Sequence, residues 1–481
     1  MIASSNVRYT TVVGLEIHAE LMTETKIFCG CPNAFGGAEN ENVCPGCLGL
    51  PGTLPSLNKA AVELAIKAGI ALGCDISRLT RWDRKGYFYA DLPNGYQLTQ
   101  MYAPICLGGG LYVGDRYIRL NHIHLEEDAG KLVHDGVRGT TRIDFNRAGV
   151  PLIEIVTEAD IRSAEEAVQF VEKVRLALLY AGVCDGKMEQ GSLRVDANIS
   201  VMPAGSDKFG TRAEIKNLNS FRFVAMAIER ETERQIKTLA AGGTLRQETR
   251  RFVESSGETA AMREKEDALD YRYFADPNIP PLAISDEYIE SLRANMPELP
   301  DKRKARYVGD YGLGEPDADT ILARKNVSDF FDAMTRMGAN PRDALGIVRG
   351  EILRNIGEYG DERIGVSPED AVRLLRMRDA GEISANNIKK AIGILMREGG
   401  DINEILEKNS MLIREDPDAL AAVVRSALAA NPAAVASYKA GEAKVFGFFM
   451  GQCNKTLKGS VQPKTLENEI RAQLDKLILN I

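Results

Sequence analysis

The hydrophobic pattern of the chain changes about three fifths of the way along. Before that point, apolar and polar residues alternate in many short segments, which is typical of β-strands that bury one face. Beyond it the pattern is that of amphipathic helices. Pro297 and Pro300 mark the change, and Gly399, Gly400 and Pro417 mark a second break. We predict a β-rich domain over 1–293, a helical domain over 294–408 and a small helical tail over 409–481.

Two helices are predicted inside the β-rich domain. The segment 163–182 places Ser163 three residues before Glu166, which forms a capping box, and its apolar stripe ends at Gly182. The segment 220–243 has a weaker stripe and stops at a pair of glycines. Because strands flank both helices, the pattern predicts an α+β fold.

The polar faces of the predicted strands carry an unusual set of side chains. In VVGLEIHAEL, Glu16, His18 and Glu20 alternate with apolar residues, so all three share one face of a strand. Other segments of this kind add His122, His124, Glu126 with Glu127 and Asp128 beside it, Asn146, Arg147, Glu154, Glu158, Arg194, Asp196, Asn198, Ser200, Arg212, Glu214 and Lys216. The segments around Asp196 and Lys216 are joined by MPAGSDKFG and predict a long hairpin.

Alternation alone leaves two interpretations of these faces open. A solvated face of an antiparallel sheet also alternates, although it usually carries a loose mixture of Lys, Thr and Glu. Carboxylates with His, Asn, Arg and Lys are instead the inventory of a site for a divalent cation and phosphate, because Mg²⁺ prefers carboxylate oxygens and cationic side chains neutralise phosphate. The sequence contains no G-x-x-x-x-G-K-[ST] motif, so a nucleotide site here is not a P-loop.

The segment WDRKGYFYADLPNGYQLTQ is rich in aromatic residues and contains Arg84 and Lys85. Tyrosine and phenylalanine beside cationic side chains could stack a base or a ribose. A loop at the edge of the core with buried aromatic residues has the same composition, and the two interpretations are equally compatible with it.

Four of the eight cysteines are clustered, and they are Cys29, Cys31, Cys44 and Cys47. Two close pairs joined by a loop rich in Gly, Asn and Pro are typical of a tetrahedral zinc site with four thiolate ligands. Such a site would be structural, because four thiolates leave no open position for a substrate. The alternative is four unrelated reduced cysteines.

Composition limits the class of protein. The chain has 481 residues, of which 44% are hydrophobic and 27% charged, and its net charge is −8. No apolar run approaches the roughly 20 residues that span a bilayer, and MIASSNVRYTTVV lacks a charged and then apolar leader, so we expect a cytoplasmic protein. The net charge argues against indiscriminate nucleic-acid binding. From residue 437 onward, however, seven Lys and Arg stand against four acids, which suits either a nucleic-acid contact or a solvated basic face.

Seven motifs in order along the first domain resemble the GatB/GatE family, the B subunits of tRNA-dependent amidotransferases. The motifs are GLEIHAEL, DRKGYFYADLPNGYQLTQ, HLEEDAGK, DFNRAGVPLIEIVTEAD, MEQGSLRVDANISV, GTRAEIKNLNSFRF and KEDALDYRYFADPNIPPL. The resemblance covers essentially the whole chain, and the cysteine cluster is similar to that of the zinc-bearing branch of the family.

The resemblance implies a fold and an activity. The fold would be a β-rich cradle domain, a helical domain and a YqeY-like tail that contacts tRNA. The activity would be that of a ligase forming carbon–nitrogen bonds, which phosphorylates the side-chain carboxylate of Glu-tRNA(Gln) or Asp-tRNA(Asn) with ATP and amidates it with ammonia. An A subunit would release that ammonia from glutamine, within a heterotrimer that also contains a C subunit.

The resemblance and the chemistry of the polar faces together predict site residues. We expect Mg²⁺ to be held by Glu16, His18, Glu126 and Glu154, with Glu127 as a further candidate. Lys85, Arg147, Asp196, Asn198 and Lys216 would handle phosphates, the substrate carboxylate or a second metal ion. ATP would contact Glu16, His18, Lys85 and Arg147. The structural Zn²⁺ would be held by Cys29, Cys31, Cys44 and Cys47.

Two other functions remain as alternatives at this point. The chain could be a non-catalytic, zinc-stabilised RNA-binding adaptor whose polar faces bind only the phosphate backbone. It could also be a free-standing metal-dependent hydrolase or ATPase. An assay of ATP turnover and amide formation with misacylated tRNA and the A and C subunits distinguishes an amidotransferase subunit from the adaptor and from the hydrolase.

Overall fold

A computed structural model describes residues 8–137, 139–264, 271–359, 363–413, 417–457 and 461–479. The chain divides into two compact units, Met1–Pro300 and Asp301–Ile481. The first six residues of the motif that begins KEDALD lie outside the described residues. The further boundary at residue 408 stays a prediction.

The described residues of the first unit form seventeen strands. They are β1 Tyr9–Glu20, β2 Asp75–Ile76, β3 Leu79–Thr80, β4 Asp83–Gly86, β5 Tyr96–Thr99, β6 Cys106–Leu107, β7 Gly110–Val113, β8 Arg116–Glu127, β9 Lys131–Asp135, β10 Thr140–Asp144, β11 Pro151–Thr157, β12 Leu193–Pro203, β13 Ala213–Leu218, β14 Glu248–Val253, β15 Glu258–Glu264, β16 Phe274–Ala275 and β17 Leu282–Ala283.

The described residues also form sixteen α-helices. They are α1 Lys59–Ala71, α2 Ala164–Tyr180, α3 Phe221–Ala240, α4 Asp286–Ala294, α5 Pro300–Gly309, α6 Glu315–Leu322, α7 Lys325–Arg336, α8 Pro341–Ile347, α9 Leu353–Tyr359, α10 Pro368–Asp379, α11 Ala385–Glu398, α12 Ile402–Lys408, α13 Pro417–Ala430, α14 Pro432–Lys439, α15 Val445–Thr456 and α16 Pro463–Leu479. A single π-turn, Val348–Ile352, joins α8 to α9. The predicted α+β fold, with strands first and a helical region after them, is confirmed.

Both helices predicted inside the first unit are present as α2 and α3. The Ser163 side chain accepts a hydrogen bond from the Glu166 backbone N–H at 3.0 Å, and Gly182 follows the helix with a φ of +69°. Ser220 caps α3 in the same way, through the Phe223 N–H at 3.1 Å. Each cap satisfies a backbone donor that the first turn of a helix leaves without an intrahelical partner.

The main sheet places β1 between two long partners. Its order is β15-β14-β13-β12-β1-β11-β8-β6-β2, and β7 also pairs with β8. The pairs are antiparallel except β13 with β14. The predicted hairpin of β12 and β13 is confirmed, with a register shift between Val195 and Ala197.

One face of this sheet is the core and the other is polar. Leu15, Ile17 and Ala19 of β1 are buried, and α1, α2 and α3 pack on their side of the sheet. The alternate residues of β1 point the opposite way, because side chains alternate along a strand. Residues directly opposite on neighbouring strands have Cβ atoms about 5 Å apart, so the polar faces of adjacent strands form one surface.

The regular elements in the described residues of the second unit are helices. In its first part, Arg306 makes two hydrogen bonds to the Asp332 carboxylate, at 3.0 and 2.9 Å, and Tyr307 is fully buried beside them. The last four helices bury a core of their own that includes Val424, Phe449 and Ile470.

No single helix in the described ranges is both long and apolar enough to cross a membrane. Among the helices that the structure describes, one pair, α13 and α14, reaches that length and composition together, and the two helices meet at a bend of 90°.

Candidate functional site

The polar surface of the main sheet gathers side chains from β1, β8 and β11. His18 lies opposite Glu154 on β11, and Glu154 lies opposite His124 on β8. The His18 Nε2 atom is 3.5 Å from a Glu154 oxygen and 3.8 Å from a Glu126 oxygen. The metal-ligating atoms of His18, Glu126 and Glu154 all lie within 4.8 Å of one another. We call these three residues the histidine cluster.

The charges of the histidine cluster depend on one another. Burial disfavours the charged form of His18, but the carboxylates of Glu154 and Glu126 outweigh it and raise the pKa of His18 to about 9. The pKa of His124 is raised as well, against its burial, by the same carboxylates. Burial opposes ionisation of Glu154, but His124 and His18 hold the pKa of Glu154 below its usual range. The positive charge of protonated His18 therefore offsets part of the negative charge of the two carboxylates.

A second cluster adjoins the first on the side of β12 and β13. Ligating oxygens of Glu16, Asp196 and Glu214 lie within 4.8 Å of one another, and we call this the acidic cluster. The Lys216 ammonium lies 3.0 Å from an Asp196 oxygen and 2.7 Å from a Glu214 oxygen. The Asn198 amide donates to Glu16 at 2.9 Å. Burial, followed by the charge of Glu154, raises the pKa of Glu16.

Lys85 approaches the histidine cluster from β4. Its Nζ atom lies 5.0 Å from the ring centroid of Tyr271 and 5.8 Å from that of Tyr87. Burial disfavours its charged form, but the fields of Glu126 and Glu154 outweigh it and raise the pKa of Lys85. A lysine held in this way stays protonated at neutral pH and presents a fixed positive charge.

Two predicted residues lie apart from both clusters. Glu127 follows Glu126 in β8 and points to the opposite face, where its carboxylate accepts a hydrogen bond from the Leu98 N–H at 2.9 Å. Burial raises the pKa of Glu127 to about 7. The Arg147 guanidinium donates to the carbonyls of Ala129 and Gly130, both at 3.0 Å. Arg147 therefore orders the loop after β8.

The histidine cluster fits a divalent ion by its donor set and spacing. Mg²⁺ binds oxygen ligands at about 2.1 Å in octahedral geometry, so neighbouring ligands are about 3 Å apart and opposite ones about 4.2 Å. The ion-pair distances of 3.5 and 3.8 Å lie within that range. One imidazole with two carboxylates also suits Mn²⁺.

The four clustered thiols are arranged as a tetrahedral site requires. Cys47 Sγ lies 3.4 Å from that of Cys29 and 3.7 Å from those of Cys31 and Cys44. Zn–S bonds of about 2.3 Å in a tetrahedron place sulfur atoms about 3.8 Å apart. The four cysteines are thus positioned to hold a metal ion such as zinc.

Three residues at this surface were not among the predicted site residues. His124 and Glu214 follow the same alternation as their neighbours, so the period of two indicated their orientation. Only the pairing of the strands shows that His124 lies opposite Glu154. Tyr271 reaches Lys85 from a segment far away in sequence, and no local pattern indicates that contact.

Comparison with known proteins identifies the class. The family model described as the GatB/GatE catalytic domain matches residues 11–290, and the model described as the GatB domain of the YqeY type matches residues 329–474. The chain belongs to the GatB/GatE family.

Full-length relatives carry a common name. A protein of Ruminiclostridium cellulolyticum is 46% identical over 481 residues, covering 98% of both chains. One of Caldicellulosiruptor saccharolyticus is 46% identical over 479 residues, covering 98% of this chain and 100% of the relative. One of Anaeromyxobacter sp. (strain Fw109-5) is 44% identical over 476 residues, covering 97% and 99%. Each is named as the B subunit of an aspartyl/glutamyl-tRNA(Asn/Gln) amidotransferase.

Proposed function

We propose that the chain is the B subunit of a tRNA-dependent amidotransferase, a ligase that forms the amide of a misacylated Glu-tRNA(Gln) or Asp-tRNA(Asn). The observation that carries the proposal is the pair of adjoining clusters on the polar face of β1, in a family whose named members act on these tRNAs. A carboxylate does not react with ammonia at neutral pH, because its oxygen is a poor leaving group. Phosphorylation of that oxygen by ATP supplies a better one.

The reaction has two steps, phosphorylation of the side-chain carboxylate and displacement of the phosphate by ammonia. A carboxylate oxygen of the aminoacyl group attacks the terminal phosphorus of ATP, and ADP leaves. Ammonia then attacks the acyl carbon, inorganic phosphate leaves with the former carboxylate oxygen, and the amine loses a proton. Because the nucleophile towards ATP belongs to the substrate, no covalent enzyme intermediate is required.

The side chains of the clusters serve positioning and charge neutralisation, which is most of what phosphoryl transfer requires. His18, Glu126 and Glu154 would hold Mg²⁺, which when bound draws charge from the phosphate oxygens. Lys85 would place its positive charge against the phosphates from the other side. Lys216 and Asn198 would orient Asp196 and Glu16, so that the acids face the nucleotide in one fixed arrangement.

A cavity next to Glu16 is suited to the rest of the nucleotide. It has a volume of about 660 Å³ and is lined by Gly14, Glu16, Asn198, Phe209 and Arg212, among others. Small-molecule sites usually measure about 300–1,000 Å³. Its position would let ATP lie with its phosphates towards a second divalent ion held by the acidic cluster, with Phe209 against the base and Arg212 near a phosphate.

The proposed partners are an A subunit that supplies ammonia, a C subunit and the tRNA. The excess of Lys and Arg from residue 437 onward supports a contact of the tail with the phosphates of tRNA. Such a contact would weaken as salt rises, because bound counterions are released from the RNA.

The complete reaction tests the function. The chain, combined with A and C subunits, glutamine, ATP and Mg²⁺, is expected to convert Glu-tRNA(Gln) or Asp-tRNA(Asn) to the amide with one ADP formed per amide. The measurement is the aminoacyl product, separated after deacylation, together with ADP. ATP turnover that does not depend on tRNA would contradict the proposal in favour of a hydrolase. Binding of tRNA without turnover would contradict it in favour of an adaptor.

The metal affinity of the histidine cluster is expected to rise with pH. In the metal-free protein the pKa of His18 is about 9, so at pH 7 an entering ion must displace a proton from the imidazole. The apparent association constant for Mn²⁺ should therefore rise about tenfold per pH unit from pH 7 towards 9 and level off above it. Electron paramagnetic resonance of free Mn²⁺ measures this constant.

The variant His18→Gln has no proton to displace at this position. It should bind Mn²⁺ more weakly, and its association constant should depend much less on pH. An unchanged dependence on pH would contradict the assignment of His18 as a ligand.

A further inference from the structure

Lys26 is a buried cation near the clustered thiols. The side chain has 0% relative exposure and lies just before the first cysteine pair. Its ammonium donates to the Phe145 carbonyl at 3.2 Å and to the Cys47 sulfur at 3.5 Å. Lysine is almost never fully buried unless it is paired, because removing its charge from water costs several kcal/mol.

Neither of these two acceptors is a carboxylate. Glu127 and Asp128 line the same cavity as Lys26, but neither carboxylate accepts a hydrogen bond from its ammonium. Glu127 accepts from the Leu98 N–H at 2.9 Å, and Asp128 accepts from the Arg194 guanidinium at 2.7 Å. Of the two direct acceptors of Lys26, only the Cys47 sulfur becomes negatively charged, because it is a thiolate when it binds a metal ion.

The four cysteines Cys29, Cys31, Cys44 and Cys47, which we call the thiol cluster, carry the complementary charge when they bind a metal ion. Four thiolates around one divalent ion sum to a net charge of −2, and a tetrahedral site of this kind is closed to further ligands. An anionic centre that is partly buried requires a nearby cation or donors for its sulfur atoms. Lys26 supplies both a positive charge and an N–H donor at Cys47.

Lys26 also lies where the loop between the two cysteine pairs, residues 32–43, is attached to the rest of the domain. The Asn40 N–H donates to Asp144 at 3.0 Å, and the Asn42 N–H donates to Asn146 at 2.8 Å. The Phe145 N–H donates to the Asn40 side chain at 2.8 Å, while the Phe145 carbonyl accepts from Lys26. Lys26 thus joins Cys47 on one side to the segment 144–146 on the other.

We propose that Lys26 is the counter-ion of the metal–thiolate centre formed by Cys29, Cys31, Cys44 and Cys47. The inference rests on the four-thiolate zinc site and not on the amidotransferase activity. The positive charge of Lys26 stabilises the net negative charge of the centre and so favours retention of the metal. Its N–H donor makes the Cys47 sulfur a weaker nucleophile towards alkylating and oxidising reagents.

The test compares Lys26→Met with the unchanged full-length chain, both loaded with zinc. Methionine keeps the length and apolar stem of lysine without the charge or the donor. We expect zinc release under iodoacetamide, followed with a chromogenic chelator, to be about tenfold faster in the variant. Lys59→Met is the matched control, because Lys59 lies in the same domain with its side chain 79% exposed, and it should release zinc at the unchanged rate.

Unfolding of the metal-free proteins separates this role from ordinary packing. If Lys26 acts as a counter-ion, Lys26→Met should unfold earlier than the unchanged chain when zinc is bound, and the difference should largely vanish without zinc. An equal loss of stability with and without zinc, or equal rates of zinc release, would overturn the proposal. An unchanged chain that binds no zinc would overturn its premise, whatever the amidation assay shows.

Discussion

Replacing Glu126 by glutamine is expected to lower tRNA-dependent ADP formation by about a thousandfold. The substitution keeps the shape of the side chain but removes one of the two negative charges that face His18. The ion would then be held weakly, and loss of one group that stabilises transition-state charge typically costs about 10²- to 10³-fold in rate. The measurement is ADP formed by the reconstituted complex with saturating misacylated tRNA.

Two further readouts show whether the effect arises at the metal site. Binding of Mn²⁺ by Glu126→Gln should weaken, whereas binding of tRNA should stay within about twofold. Glu172→Gln is the control, because Glu172 is an exposed acid on α2 and the same charge is removed there away from the clusters. Amidation by Glu126→Gln at the rate of the unchanged complex would refute the assignment of Glu126 as a ligand.

Replacing Cys44 by serine is expected to abolish zinc binding and to destabilise the first unit. A site that loses one of its four thiolates no longer has a complete tetrahedral set of ligands. The free energy of zinc binding then no longer stabilises the folded protein. At a free zinc concentration a thousand times Kd, this loss corresponds to about 4 kcal/mol in the free energy of unfolding. Metal analysis and denaturant unfolding measure the two effects.

The control for this substitution is Cys74→Ala. Cys74 is buried and lies outside the thiol cluster, so its replacement should leave the zinc content unchanged. Full zinc occupancy in Cys44→Ser would contradict the proposal that all four cysteines are ligands of one zinc ion.

The alternation of residues was sufficient to predict which way the side chains of β1 point. Glu16, His18 and Glu20 share the polar face because a strand repeats every two residues, and no tertiary information is needed for that statement. The same rule places Glu126 and Glu127 on opposite faces of β8, and the structure puts Glu127 against Leu98, away from the histidine cluster. The helix α2 was also predictable, since Ser163 and Glu166 form a local cap.

The division of these residues into two clusters could not be predicted. It depends on the register between strands, which brings Glu154 opposite His18 but Asp196 opposite Glu16. Glu16 therefore lies with Asp196 and Glu214, although in the sequence it is the nearest acid before His18. Register is set by contacts between segments more than a hundred residues apart, which a local pattern does not contain.

The histidine cluster and the acidic cluster each take one residue from β1, so both depend on the spacing along that strand. Glu16 and His18 are separated by two residues of extended backbone, a spacing of about 7 Å that no side-chain rotation alters. An insertion or a deletion of one residue within β1 would move every later side chain of the strand to the opposite face of the sheet. The metal-ligating side chains would then point into the hydrophobic core. A change of length in a turn between strands leaves this spacing intact, whereas an insertion or a deletion within β1 does not.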